Sequence, residues 1–147
     1  MHDLKSERFT VETGTHILVQ VPQEAADRVL QAILSRDILP WGDYDQVSFT
    51  TQPGQQQFRS LPKGVNAPTD HAIKVACVEL QVFTCARGAN LEPILRAIYD
   101  VHPYEEPVIQ LIDATRTRHN RGMDEDNPNR FWNGDPQEWV PAPHRGK

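Results

Sequence analysis

The chain has 147 residues and a mass of 16.7 kDa, which fits one domain with one core. Fifteen Lys and Arg against twenty Asp and Glu give a net charge of −5, which argues against a generally basic surface for nucleic acid or anionic lipid, so neither is expected as a partner. Apolar residues make up 38% of the chain and its apolar runs are too short to span a bilayer; with Asp3 and Glu7 near the start and no apolar leader, the sequence predicts a cytoplasmic protein.

Residues 1–13 mix charge and polarity and read as an N-terminal arm. The run His16 to Val21, rich in aliphatic residues and stopped by Pro22, predicts a buried strand. Ala26, Val29, Leu30, Ile33 and Leu34 then recur at steps of three and four, the stripe of a helix from about Gln23 to Ser35. Tyr44 to Thr51 alternates again. Pro53 and Gly54 read as a turn, and Gln55 to Ser60 as the returning arm of a β-hairpin. Leu61 to Asp70 reads as loop.

Ile73 to Cys85 predicts a strand with Ala76, Val78, Leu80 and Val82 on one face. Cys77 and Cys85 both fall on it, about 26 Å apart at the rise of a strand, too far for a disulfide; two buried thiols in a reduced compartment are expected. Asn90 reads as a helix cap, and Leu91, Ile94, Leu95 and Ile98 as a second helical stripe that ends before Pro103. Val108 to Asp113 predicts a last strand, apolar on both faces and so buried twice or placed at a subunit contact. Strand, helix, hairpin, strand, helix, strand is a doubled βαβ unit, which predicts a ferredoxin-like α+β sandwich over 14–114. Its helix-free face needs a cover, which self-association can supply. Residues 115–147 form an extension in which Trp132 and Trp139 predict packing on the domain or on a neighbouring subunit.

The segment HPYEEP, His102 to Pro107, taken with GDYDQVSFTTQPGQQQFRSL, Gly42 to Leu61, resembles the PII-like insert domain of the Nif-three-like family. HPYEEP is more loosely similar to an element of the CutA divalent-cation-tolerance family, which has the same doubled architecture and is trimeric. The resemblance implies a stand-alone PII-like module, a homo-oligomer with a trimer favoured, binding a small molecule or a protein partner in clefts between subunits. Those clefts would be lined by Tyr44, Asp45, Ser48, Phe49, His102, Tyr104 and Glu105, with Arg116 and Arg118 from the extension. The dinuclear metal site of full-length Nif-three-like proteins lies in flanking sequence that this chain lacks, so their metal-dependent hydrolase activity is not expected to transfer.

His102 and Glu106 are the candidate ligands for a divalent ion such as Cu or Zn. Against that stands local hydrogen bonding by His102 and Tyr104 between two prolines, with Glu105 and Glu106 pointing to opposite faces. Asp43 and Asp45 share a strand face but supply only two carboxylates for a hard cation. Arg116, Arg118, His119 and Arg121 could hold a phosphate or pair with nearby acids. Asp124, Glu125 and Asp126 read as solvated charge. Three readings follow in order: a non-enzymatic binding module, a metal-binding protein of the cation-tolerance kind, and a metal-dependent phosphate-ester or nucleotide hydrolase.

Overall fold

The computed structural model describes residues 3–145. Five strands form one antiparallel sheet: β1 (Phe9–Val21), β2 (Ser48–Thr50), β3 (Gly54–Phe58), β4 (Ile73–Thr84) and β5 (Ile109–His119). The order is β2-β4-β1-β5, with β3 also on β4, which is the ferredoxin-like arrangement predicted. Two helices, α1 (Ala26–Leu34) and α2 (Glu92–Val101), cover one face. Between them and the sheet lies the core of Ile17, Val19, Val21, Val29, Ile33, Val78, Leu80, Val82, Ile94 and Ile98. Alternate residues of the same strands, His16, Leu18 and Gln20 on β1 and Glu79, Gln81 and Phe83 on β4, point to the helix-free face.

The predicted hairpin does not form. β2 pairs with β4 from Ser48↔Val82 to Thr50↔Leu80, and β3 pairs with the same strand from Gly54↔Cys77 to Phe58↔Ile73. They are successive pieces of one edge strand. Three residues, Thr51 to Pro53, oppose two, Val78 and Glu79, so the Pro-Gly signal marks a bulge rather than a reversal. Proline has no N–H for a ladder and is tolerated at such an edge bulge. Thr51 holds it closed: its N–H donates to the Glu79 carbonyl at 3.0 Å, and its Oγ1 accepts from the Glu79 N–H at 2.9 Å. The strand read from Tyr44 starts only at Ser48, because residues 41–44 form a tight turn on Gly42 at φ 60°.

Other boundaries shift for local reasons. Asn90 does not cap α2: a 3-10 turn, Gly88–Leu91, precedes it and the capping position is Leu91. The strand with Cys77 ends at Thr84, whose Oγ1 accepts from the Ala86 N–H at 3.0 Å and bends the chain, leaving Cys85 exposed rather than buried. Phe9 to Thr13, read as part of an arm, are strand, and β5 runs to His119 rather than Asp113. These segments pair with each other from Phe9↔His119 to Thr13↔Thr115, a two-stranded ribbon beyond the sheet. Its threonines and Val11 favour extended backbone even without an apolar face.

Among the described residues, no strand pairs with the outer edge of β5. The Gln20 N–H donates to the Val108 carbonyl at 3.0 Å, so alternation along the ladder turns the N–H groups of Leu111, Asp113 and Thr115 outward. Leu111 is 46% exposed and Ile112 is 47% exposed, one on each side of this edge.

Beyond β5 the extension folds back on the ribbon. Asn120 N–H donates to the Arg8 carbonyl at 2.9 Å, and Arg8 reaches Asp124 at 2.7 Å. Asp124, read as solvated, is buried and also takes Arg130 at 2.7 Å and the Asn127 amide at 3.1 Å. These bonds, the Asn127 amide foremost, hold its carboxyl well below the usual carboxylate range. A short helix, α3 (Pro136–Trp139), is capped by Asp135 and followed by Arg145, which donates to the Val140 and Gln137 carbonyls.

Candidate functional site

A groove of about 340 Å³ opens between β1, β2, β4 and the loop before β2. Trp41, Phe49 and Phe83 supply aromatic walls, His16, Ser48 and Gln81 supply polar groups, and Val47 and Val82 complete it. Topology explains the cluster. Phe49 stands opposite Gln81, and His16 opposite Phe83, so alternation places all four on the helix-free face.

Trp41 is carried there by the loop after α1. Leu39 is buried in the core at one end of that loop, and Gln46 N–H and Val47 N–H return to the Ile38 and Leu39 carbonyls at 2.7 and 3.1 Å. The indole N–H then donates to the Thr117 carbonyl at 3.1 Å. Arg116 fills the space between the rings: its guanidinium carbon lies 4.6 Å from the Trp41 centroid and 4.2 Å from that of Phe83. The same group donates to Glu12 at 2.6 Å and to the Pro40 carbonyl at 2.8 Å. Beneath, Phe83 lies on Gly14, where an added Cβ would come 2.6 Å from the ring and 2.2 Å from the Thr84 carbonyl oxygen. Glycine is required there for space, not for a special backbone angle.

The residues picked from sequence do not gather in one place. Ser48 and Phe49 line the groove, with Tyr44 and Asp45 exposed in the loop beside it. Arg116 is buried in the aromatic sandwich, and Arg118 is exposed on the ribbon opposite Thr10. Arg121 pairs with Asp43, so the basic cluster is spread among acids rather than gathered. Glu105 accepts the Val65 N–H at 3.2 Å and fastens the long loop before β4.

His102 lies at the far end of β1, against Gln20, roughly 13 Å along the strand from His16. Its Nε2 donates to the Gln20 carbonyl at 2.8 Å, and its Nδ1 accepts the Tyr104 N–H at 3.0 Å. Since a backbone N–H must donate, Nδ1 is the bare nitrogen and Nε2 carries the proton. Both ring nitrogens are thus occupied. Glu106 is exposed, and among the described residues no three of His, Cys, Asp and Glu come together as a metal-holding group.

Burial pushes the His102 pKa down, against the hydrogen bond to Gln20, with Arg28 lowering it further. The unfolded chain therefore binds the extra proton first. Stability is full above the ordinary imidazole value of 6.5 and falls as pH drops below it, toward the lowered folded value. Urea midpoints across that window should decline in the native chain and flatten in His102→Gln; equal slopes in both would exclude His102 as the source.

Sequence reasoning missed Trp41, Phe83, His16 and Gly14. Phe83 could have been found, since it continues the Glu79 and Gln81 face on which a large aromatic side chain is out of place unless covered. Trp41 offered no such signal, because its position depends on the loop closing over the sheet edge.

No protein-family model and no curated protein sequence matches the chain. Among solved structures, it is similar to a Bacillus cereus protein related to NIF3, with 20% identity and a TM-score of 0.61 over 76% of this chain. The match spans 28% of the length of that protein. The chain is also similar to the divalent ion tolerance protein CutA1 from Ehrlichia chaffeensis, with 14% identity and a TM-score of 0.51 over 74% of this chain and 84% of that one. Both likenesses agree with the resemblances read from HPYEEP and the Gly42 to Leu61 segment, and with the strand order they give the fold as a ferredoxin-like α+β sandwich. Among the described residues no helix is long and apolar enough to cross a membrane.

Proposed function

We propose that the chain is a non-enzymatic binding module whose copies associate through the helix-free sheet face and the β5 edge, and which takes a small molecule or protein partner in clefts between copies. The observation that carries this reading is the edge itself. Natural edge strands are usually blunted by charge, proline or a cover. From Ile109 to Ile112 this edge carries no charge, and half-exposed Leu111 and Ile112 flank the outward N–H of Leu111. The charged groups near the groove support binding over turnover: Arg116 is consumed by Glu12 and two rings, leaving an aromatic recognition surface. A trimer is favoured, and a reducing cytoplasm suits the free Cys77 and Cys85.

Light scattering tests this. The native chain should give the mass of an oligomer, three copies being favoured, at micromolar concentration. Leu111→Lys with Ile112→Glu should give the mass of one copy while keeping the far-ultraviolet circular dichroism of the native fold. A native chain that scatters as a monomer would contradict the reading.

A further inference from the structure

The sheet has a second open edge. Among the described residues, no strand pairs with the outer side of β2 or β3. The Thr51 N–H turns inward to the Glu79 carbonyl, so alternation turns the N–H and carbonyl groups of Ser48 and Thr50 outward. The Pro53 bulge blunts this edge beyond Thr50 and limits straight pairing to β2. No charged residue occurs from Gln46 to Phe58 on this side of the sheet, and none from Val108 to Ile112 on β5. Both edges thus lack the charge that usually keeps open strands apart, and both present unpaired donors and acceptors.

The side chains beside the two edges match as well. Phe49, 64% exposed, stands on the helix-free side of β2, and Ile112, opposite His16, stands on the same side of β5. Within one copy they cannot meet. Phe49, Gln81, Leu18 and Gln110 form one row across the four strands, which sets Phe49 and the β5 edge roughly 14 Å apart or more. Resting on the self-association proposed above, we infer that the β5 edge of one copy pairs antiparallel with the β2 edge of the next, Ile112 beside Phe49, so that each groove is completed by a residue from its neighbour.

Symmetry selects this pairing over β5 on β5. Like on like is two-fold and closes at two copies, whereas the trimer favoured above needs two different surfaces at each contact. The pairing also continues a sheet that is antiparallel throughout. With Ile112 opposite Phe49, Leu111 falls opposite Thr50 and Asp113 opposite Ser48, so the outward groups of the two strands face each other. Charge does not oppose it: β2 is neutral, Arg116 is already neutralised by Glu12, and Asp113 is offset by exposed Arg118 as the strand runs on toward the loop of Asp45. Strand pairing fixes which neighbour is met and in which direction, and the helix-free face supplies the area of the contact.

Cross-linking between tagged copies tests it. In a Cys85→Ser background, with Cys77 left buried, one tagged full-length chain carries Phe49→Cys and a differently tagged chain carries Ile112→Cys. A second pair, Thr50→Cys with Leu111→Cys, reads the other side of the same strands, in case loss of an apolar side chain weakens the first. Co-expressed and mildly oxidised, either pair should give a disulfide-linked species bearing both tags, which a disulfide's short reach permits only if the two edges lie side by side. Ile112→Cys on both tagged chains should give none. An oligomer by light scattering with no doubly tagged species from either pair would overturn the edge pairing and leave the self-association standing. Linkage of Ile112→Cys to itself would overturn it as well, in favour of β5 on β5. Monomers throughout would sink both.

Discussion

Gly14→Ala is expected to destabilise the fold by about 3 kcal/mol or more, at the upper end of what overpacking costs. The added methyl meets the Thr84 carbonyl oxygen at 2.2 Å and the Phe83 ring at 2.6 and 2.9 Å. The first of these is backbone in a paired central strand, so no rotamer change relieves it. Trimming the ring by Phe83→Leu should therefore fail to rescue the variant. Urea unfolding at constant slope gives the measurement, and a shift within about 0.5 kcal/mol of the native chain would mean that β1 and β4 do not approach as described.

Arg116→Ala should remove about 3 kcal/mol, the low end of what breaking a buried ion pair costs, because Glu12 keeps 29% of its side chain in solvent. Two effects are combined in that substitution. The guanidinium neutralises Glu12 and caps the Pro40 carbonyl, and its flat face fills the space between Trp41 and Phe83. Arg116→Met keeps a stem of comparable length between the rings but drops the charge, so it should recover part of the loss. Trp41 fluorescence reports the groove wall: it should change in Arg116→Ala and move less in Arg116→Met. Equal stability of all three chains would remove Arg116 from the account of how the groove is built.

What the sequence made legible was short-range. The stripes of Val29 and Ile33 and of Ile94 and Ile98 follow helical period, and all four are buried in the core. The alternation of Val78, Leu80 and Val82 placed β4 with its apolar side inward, and Pro103 set the end of α2 by forcing His102 to extended backbone, ψ 134°. Pairing across distance was not legible. Pro53 and Gly54 satisfy the local chemistry of a turn, and only the competing ladder with β4 turns them into a bulge. Asp124 has charged neighbours in sequence, and nothing there indicates that Arg8, 116 positions away, will bury it.

The same distinction explains the site. Ser48 and Phe49 were recognisable because the hairpin-like motif carries them, and they reach the groove. His102 was weighed as a metal ligand because imidazole beside carboxylates suits one, against local hydrogen bonding with Tyr104; its Nδ1 makes that local bond, and its Nε2 goes to Gln20, a partner that the fold alone supplies. Tyr104 packs on the His102 ring at 5.0 Å, and burial raises its hydroxyl pKa, with Cys77 and Glu24 adding to the shift. That end of β1 reads as a packed junction between α2 and the sheet.

Whether the β5 edge is paired by copies of the chain is decided most directly at the backbone. Hydrogen exchange at the Leu111, Asp113 and Thr115 amides, which point away from β1, can be followed while the protein is diluted from high to low micromolar concentration. The account predicts slow exchange at the high end that speeds up on dilution. Fast, solvent-like exchange of all three at every concentration would contradict it.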